Sequence, residues 1–94
     1  MILARVTGTV VATRKNRALE GFRLLLVHPV DLEDRLTGVS FIAVDLVDAG
    51  VGERVLVLDD GGAARIAIPN EKLPIRHVVM GVVDQVEVAS EYTR

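Results

Sequence analysis

Ile2-Leu3-Ala4-Arg5-Val6-Thr7-Gly8-Thr9-Val10-Val11-Ala12-Thr13 is the stretch that decides the fold class. Its even positions carry Ile2, Ala4, Val6, Gly8, Val10 and Ala12, while Arg5, Thr7, Thr9 and Thr13 fall on the odd ones, the period-two pattern of a half-buried strand. Gly8 sits in the middle. A glycine there weakens a flat strand and marks a bulge or sharp bend, the device by which a small sheet turns a barrel corner. The first strand is expected to curl.

Outward from it, four more strands are predicted: Phe22 to Val30, Val39 to Leu46, Arg54 to Leu58, and Val78 to Val88 with Gly81 inside it. The second is apolar on both faces, Leu24 and Leu26 opposing Leu25 and Val27, so it needs something to pack on besides the barrel interior. A neighbouring subunit is the expected cover. The polar, basic stretch Arg14 to Gly21 reads as a long exposed loop, and Asp31 to Gly38 as an acidic connection after Pro29. Between the third and fourth strands Gly50 and Gly52 are expected to supply the positive φ angles of a tight reversal. This Gly-x-Gly lacks the third glycine and following helix of a nucleotide fingerprint, so a turn is the reading. No segment sustains a helix beyond one short turn near Ala63-Ala64-Arg65. Five strands and two central glycines predict an all-β, small five-stranded closed barrel.

The 94 residues make one domain, 1–94, with no cysteine to staple it. A single small core buries a modest fraction of its chain, and 50% hydrophobic residues therefore point to burial between copies. Phe22, Phe41 and Tyr92 are the only aromatics and the formal charge is −2, which disfavours nucleic-acid binding, since that needs stacking platforms in a basic groove. Arg5 interrupts the apolar start before it forms a secretory signal, and no apolar run approaches the roughly 20 residues of a membrane span. The expectation is a cytoplasmic protein.

Catalytic candidates are few. His28 and His77 lack the partners of a metal motif, and His28 is expected to be packed or at an interface, His77 exposed or bonded locally. Asp31, Glu33 and Asp34 lack calcium-loop spacing and read as a solvated acidic loop. Asp84, placed within the last strand, is expected to be paired, exposed or at a subunit contact. No catalytic residue, metal ligand or cofactor is assigned.

Gly8-Thr9-Val10-Val11-Ala12-Thr13, Leu19-Glu20-Gly21, the run from Ala43 to Val57 that includes Asp48-Ala49-Gly50-Val51-Gly52-Glu53-Arg54, and Met80-Gly81-Val82-Val83-Asp84-Gln85-Val86 together resemble the EutN/CcmL family of bacterial microcompartment shell proteins. Pro74-Ile75, ahead of that last run, resembles the family's closing strand together with it, and Ala63-Ala64-Arg65 fits the family in part. The resemblance implies an OB-like barrel that forms homopentamers at the vertices of a polyhedral shell in the bacterial cytoplasm, beside hexameric shell proteins, with no enzymatic activity. The expected subunit interface is Phe22, Leu25, Val51, Arg65, Pro74, Ile75 and Asp84. Asp59, Asp60, Gly61, Gly62 and Ala63 are placed by resemblance as a loop at the five-fold axis. Arg76 stands where the family carries Asp, so an ion pair there would have its sign reversed. Gly61-Gly62-Ala63 replaces the family's serine-rich loop. The alternative is an oligomeric barrel that binds a small molecule or regulates.

Overall fold

The computed structural model describes residues 1–15, 17–59 and 76–92. Its strands are β1 (Ile2–Val10), β2 (Arg23–Pro29), β3 (Phe41–Asp45), β4 (Arg54–Asp59) and β5 (His77–Val82). They close into a barrel in the order β1-β2-β3-β5-β4. Every pairing is antiparallel except β3 with β5, where Val44 faces Val78 and Asp45 faces Val79. The predicted all-β five-stranded barrel is therefore the fold, with two short 3-10 turns, Arg17–Leu19 and Ser90–Tyr92, as the helical elements among the described residues.

Both central glycines lie beside irregularities in the ladder. Along β1 the register with β2 shifts between Val6 and Gly8, so Thr7 is the extra residue. Along β4 the partner changes from Gly81 to Val79 between Leu56 and Val57, leaving Met80 as the extra residue on β5. One extra residue turns every later side chain to the other face. Thus Ala4 and Val6 point into the barrel with Leu25, Val27, Ala43, Val55, Val57 and Val79, whereas Val10, beyond the bulge, packs outside with Leu24, Val44 and Leu19. The even positions of the opening strand are one stripe in sequence and two faces in space.

That outer cluster corrects two expectations. Arg14 to Gly21 is not wholly an exposed loop, because its 3-10 turn lays Leu19, 8% exposed, over Leu24 and Val44. Lys15 Nζ pins the segment by donating to the Phe22 carbonyl at 3.0 Å. The chain itself thereby covers Leu24 on the outer face of β2, where a neighbour was expected, and leaves Leu26 and His28 half-buried. Leu25, expected at the interface, is fully buried among the barrel-core residues, so its side chain has no surface left to offer.

β5 stops at Val82 and not at Val88, so Asp84 lies beyond the strand and is exposed. The cause is loss of a ladder partner. β4 begins at Arg54, whose carbonyl accepts from Val83 N at 2.8 Å, and beyond it the chain has already turned away.

The β3–β4 turn is built differently from expectation as well. Gly52 has φ +93°, but Gly50 does not lie in the left-handed region, and Asp48, with φ 57°, takes that role. Gly52→Ala should therefore cost roughly 1–3 kcal/mol through backbone strain alone, since no atom lies within 4 Å of the added Cβ. Gly50→Ala meets only Glu53 Oε1 at 3.3 Å, the end of a flexible side chain, and should cost less. Equal losses of melting temperature for the two variants would contradict this conformational account.

Candidate functional site

The turn between β3 and β4 is organised by Asp45, the last residue of β3, whose side chain is 1% exposed. Its Oδ1 accepts from Val47 N at 3.1 Å and its Oδ2 from Ala49 N at 3.0 Å, while Arg23 Nη1 stands 3.6 Å away. Burying a carboxylate costs little when backbone donors and a cation meet it. Arg23 also donates to the Ala49 carbonyl at 2.8 Å and reaches Asp48 at 3.3 Å. On the far side of the turn Gly50 N donates to Glu53 Oε1, Gly52 N to the Val6 carbonyl and Val6 N back to the Glu53 carbonyl. The amides that would cradle a phosphate are thus committed to the turn and to β1, which agrees with reading Gly-x-Gly as a reversal. Sequence reasoning missed Asp45. The available signal was an acid four residues before Ala49 at a strand end, the spacing of a side chain capping its own turn.

At the other end of β4, Asp59 is paired directly with His77 of β5. Its Oδ1 lies 2.8 Å from His77 Nε2 and 3.3 Å from Arg76 Nε, and the His77 ring rests on Phe41 with centroids 4.0 Å apart. Asp59 is therefore the last residue of a strand with two basic partners, and not a free carboxylate of a loop as expected. Asp60, Gly61, Gly62, Ala63, Arg65, Pro74 and Ile75 lie outside the described residues.

His28 Nδ1 meets Ser40 Oγ at 2.7 Å. The acidic connection is ordered from within: Asp31 Oδ1 accepts from Arg35 N at 3.0 Å and, more weakly in effect, from Glu33 N at 2.9 Å, which lowers the Asp31 carboxyl pKa from its ordinary value. Asp34 pairs with Arg5. That hydrogen bond lowers the Asp34 pKa and raises that of Arg5. Among the described residues no three His, Asp or Glu side chains gather as a metal site.

What the barrel does present is apolar surface. Of the expected interface residues, Val51 is 62% exposed, Asp84 is exposed and Phe22 is half-buried against the outer cluster. Ile42 and Met80, on β3 and β5, are 42% and 40% exposed.

A family model described as ethanolamine utilisation protein EutN/carboxysome matches residues 1–84. The chain belongs to the EutN/CcmL family. Among EutN/CcmL relatives, the bacterial microcompartment shell vertex protein PduN of Salmonella typhimurium is 47% identical over 90 residues, covering 89% of this chain and 96% of that protein. The carboxysome shell vertex protein CcmL of Synechocystis is 43% identical over 90 residues, covering 96% and 89%. The solved structure of GrpN, a pentameric microcompartment shell protein from Rhodospirillum rubrum, superposes with a TM-score of 0.81 at 37% identity, covering 95% of this chain and all of that one. These EutN/CcmL likenesses run through the whole barrel.

Proposed function

We propose that this protein is a non-enzymatic shell subunit that assembles as a homopentamer and occupies the vertices of a bacterial microcompartment, against hexameric shell proteins in the cytoplasm. The observation that carries it is the near full-length likeness to shell vertex proteins, one of them solved as a pentameric shell protein. Hexagonal tiles alone form flat sheets or tubes, and a closed polyhedron needs five-fold units at its corners. A head-to-tail interface closes into a ring when its rotation divides the circle, and five copies give the required corner.

Phe22, Val51, Arg65, Pro74, Ile75 and Asp84 remain the proposed interface residues, with Leu25 removed to the core. The loop containing Asp60, Gly61, Gly62 and Ala63 remains the proposed axial segment. Because Asp59 is held by His77 and Arg76, repulsion around such an axis falls mainly on the Asp60 copies. Co-expression with a hexameric shell protein tests the role. Closed particles should form with this chain and be replaced by sheets, tubes or open-cornered shells without it. Particles that close equally well without it, and exclude it when present, would contradict the assignment.

A further inference from the structure

Arg5 of β1 and Arg54 of β4 stand directly opposite each other in the antiparallel ladder. Like charges at such a pair repel and need compensation. Arg5 has it, bonded to the Asp34 carboxylate and to the Gly52 carbonyl. Arg54 does not. Among the described residues no carboxylate lies within ion-pair distance of it, and its side-chain hydrogen bond is a long one, 3.4 Å from Nη2 to the Asp84 carbonyl. Its Nε is buried and has no acceptor among the described residues. Leaving a charged donor in that condition costs more than an ordinary hydrogen bond gains.

Beside the two guanidinium groups is a broadly open depression of about 310 Å³, lined by Arg5, Asp34, Glu53, Arg54, Val82, Val83 and Asp84. Two of its three acids are already committed, Asp34 to Arg5 and Glu53 to the Gly50 amide. Asp84 is exposed, and its backbone carbonyl is the group that meets Arg54. Two groups that reach this space have no partner at ion-pair distance among the described residues, the Arg54 guanidinium and the Asp84 carboxylate, and they do not meet each other. Arginine offers two parallel N–H donors to a carboxylate, and the volume admits a side-chain carboxylate or a small carboxylic acid.

We propose that this pocket is a carboxylate-binding site in which Arg54 holds an acid group that the described part of the chain does not supply. In the ring the acid comes from a neighbouring copy, a source that rests on the pentameric reading; the site itself does not. A copy docked there delivers its carboxylate without the loss of freedom that a free anion suffers, and excludes the water that weakens an open ion pair.

The test is the Arg54 Nε–Hε resonance of protein labelled with 15N-arginine, assigned by its loss in R54Q and R54K and followed at low ionic strength. A resonance shifted downfield and protected from water in the assembled protein, and lost on dissociation by dilution, supports the site with a neighbouring copy as source. A resonance that exchanges freely with water and then shifts saturably on adding acetate, equally in a dissociated protein, supports the site with a free carboxylate as source. Failure of the pentameric reading would show separately, in the number of copies. Assembly supplies a second readout where the neighbour is the source: R54Q should weaken it by about tenfold or more, the worth of a charge-assisted hydrogen bond. R54K, which keeps the charge but not the fork, should recover part of that. A resonance neither protected nor responsive to acetate, with R54Q assembling and melting at least as well as the parent, overturns the proposal. That is the result expected of a merely buried, unsatisfied donor once it is removed.

Discussion

Asp45→Ala should lower unfolding stability by about 1–3 kcal/mol, because the Val47 and Ala49 N–H groups lose their shared acceptor, that of Ala49 in a place water does not reach, while Arg23, 44% exposed, keeps Asp48 and the Ala49 carbonyl. The carboxylate is 1% exposed and Ala49, one of its two backbone donors, is itself fully buried. Asp45→Asn keeps an oxygen for one of those amides and loses the charge facing Arg23, so its loss should be smaller than that of the alanine variant. Urea denaturation at one fixed protein concentration checks both, since stability in an assembling protein varies with concentration. A loss under about 0.5 kcal/mol for the alanine variant, typical of a surface change, would mean that the turn is held by its glycines and that Asp45 is incidental.

Leu25→Ala should cost about 2–5 kcal/mol, the range for removing a large aliphatic side chain from a packed core that relaxes incompletely. Leu25 is fully buried among Ala4, Val6, Val27, Val55 and Val57, residues of three different strands, so one cavity loosens β1, β2 and β4 together. The same substitution separates a core role from an interface role. A core residue lowers the melting temperature of whatever species is present, whereas an interface residue such as the proposed Val51 should change the dilution at which the assembly falls apart. Finding that Leu25→Ala melts as the parent does, but dissociates more readily, would return Leu25 to the interface.

The fold was legible because each strand announced itself locally. Alternation marked Ile2 to Val10, glycines marked the bulges at Thr7 and Met80, and Pro29 marked the end of β2. What could not be read depends on which residue faces which. The flip of Val10 to the outer cluster leaves no trace in the pattern, since the even positions stay apolar across the bulge. Leu19 looked like one apolar residue in a basic loop, and only the 3-10 turn shows it lying on Leu24. The end of β5 was misplaced because Val86 and Val88 continue the apolar content after the partner strand has run out. Of the expected interface residues Val51 and Asp84 are exposed, while Arg54 drew attention only as the start of a strand. Its importance comes from Arg5, 49 positions earlier in the chain, standing opposite it.

The number of copies in the ring decides whether the subunit can occupy a five-fold corner. Native mass spectrometry of the purified chain at micromolar concentration measures that number directly. The account predicts a dominant species of five chains. A spectrum dominated by monomer or dimer, or by a ring of another size, would contradict it.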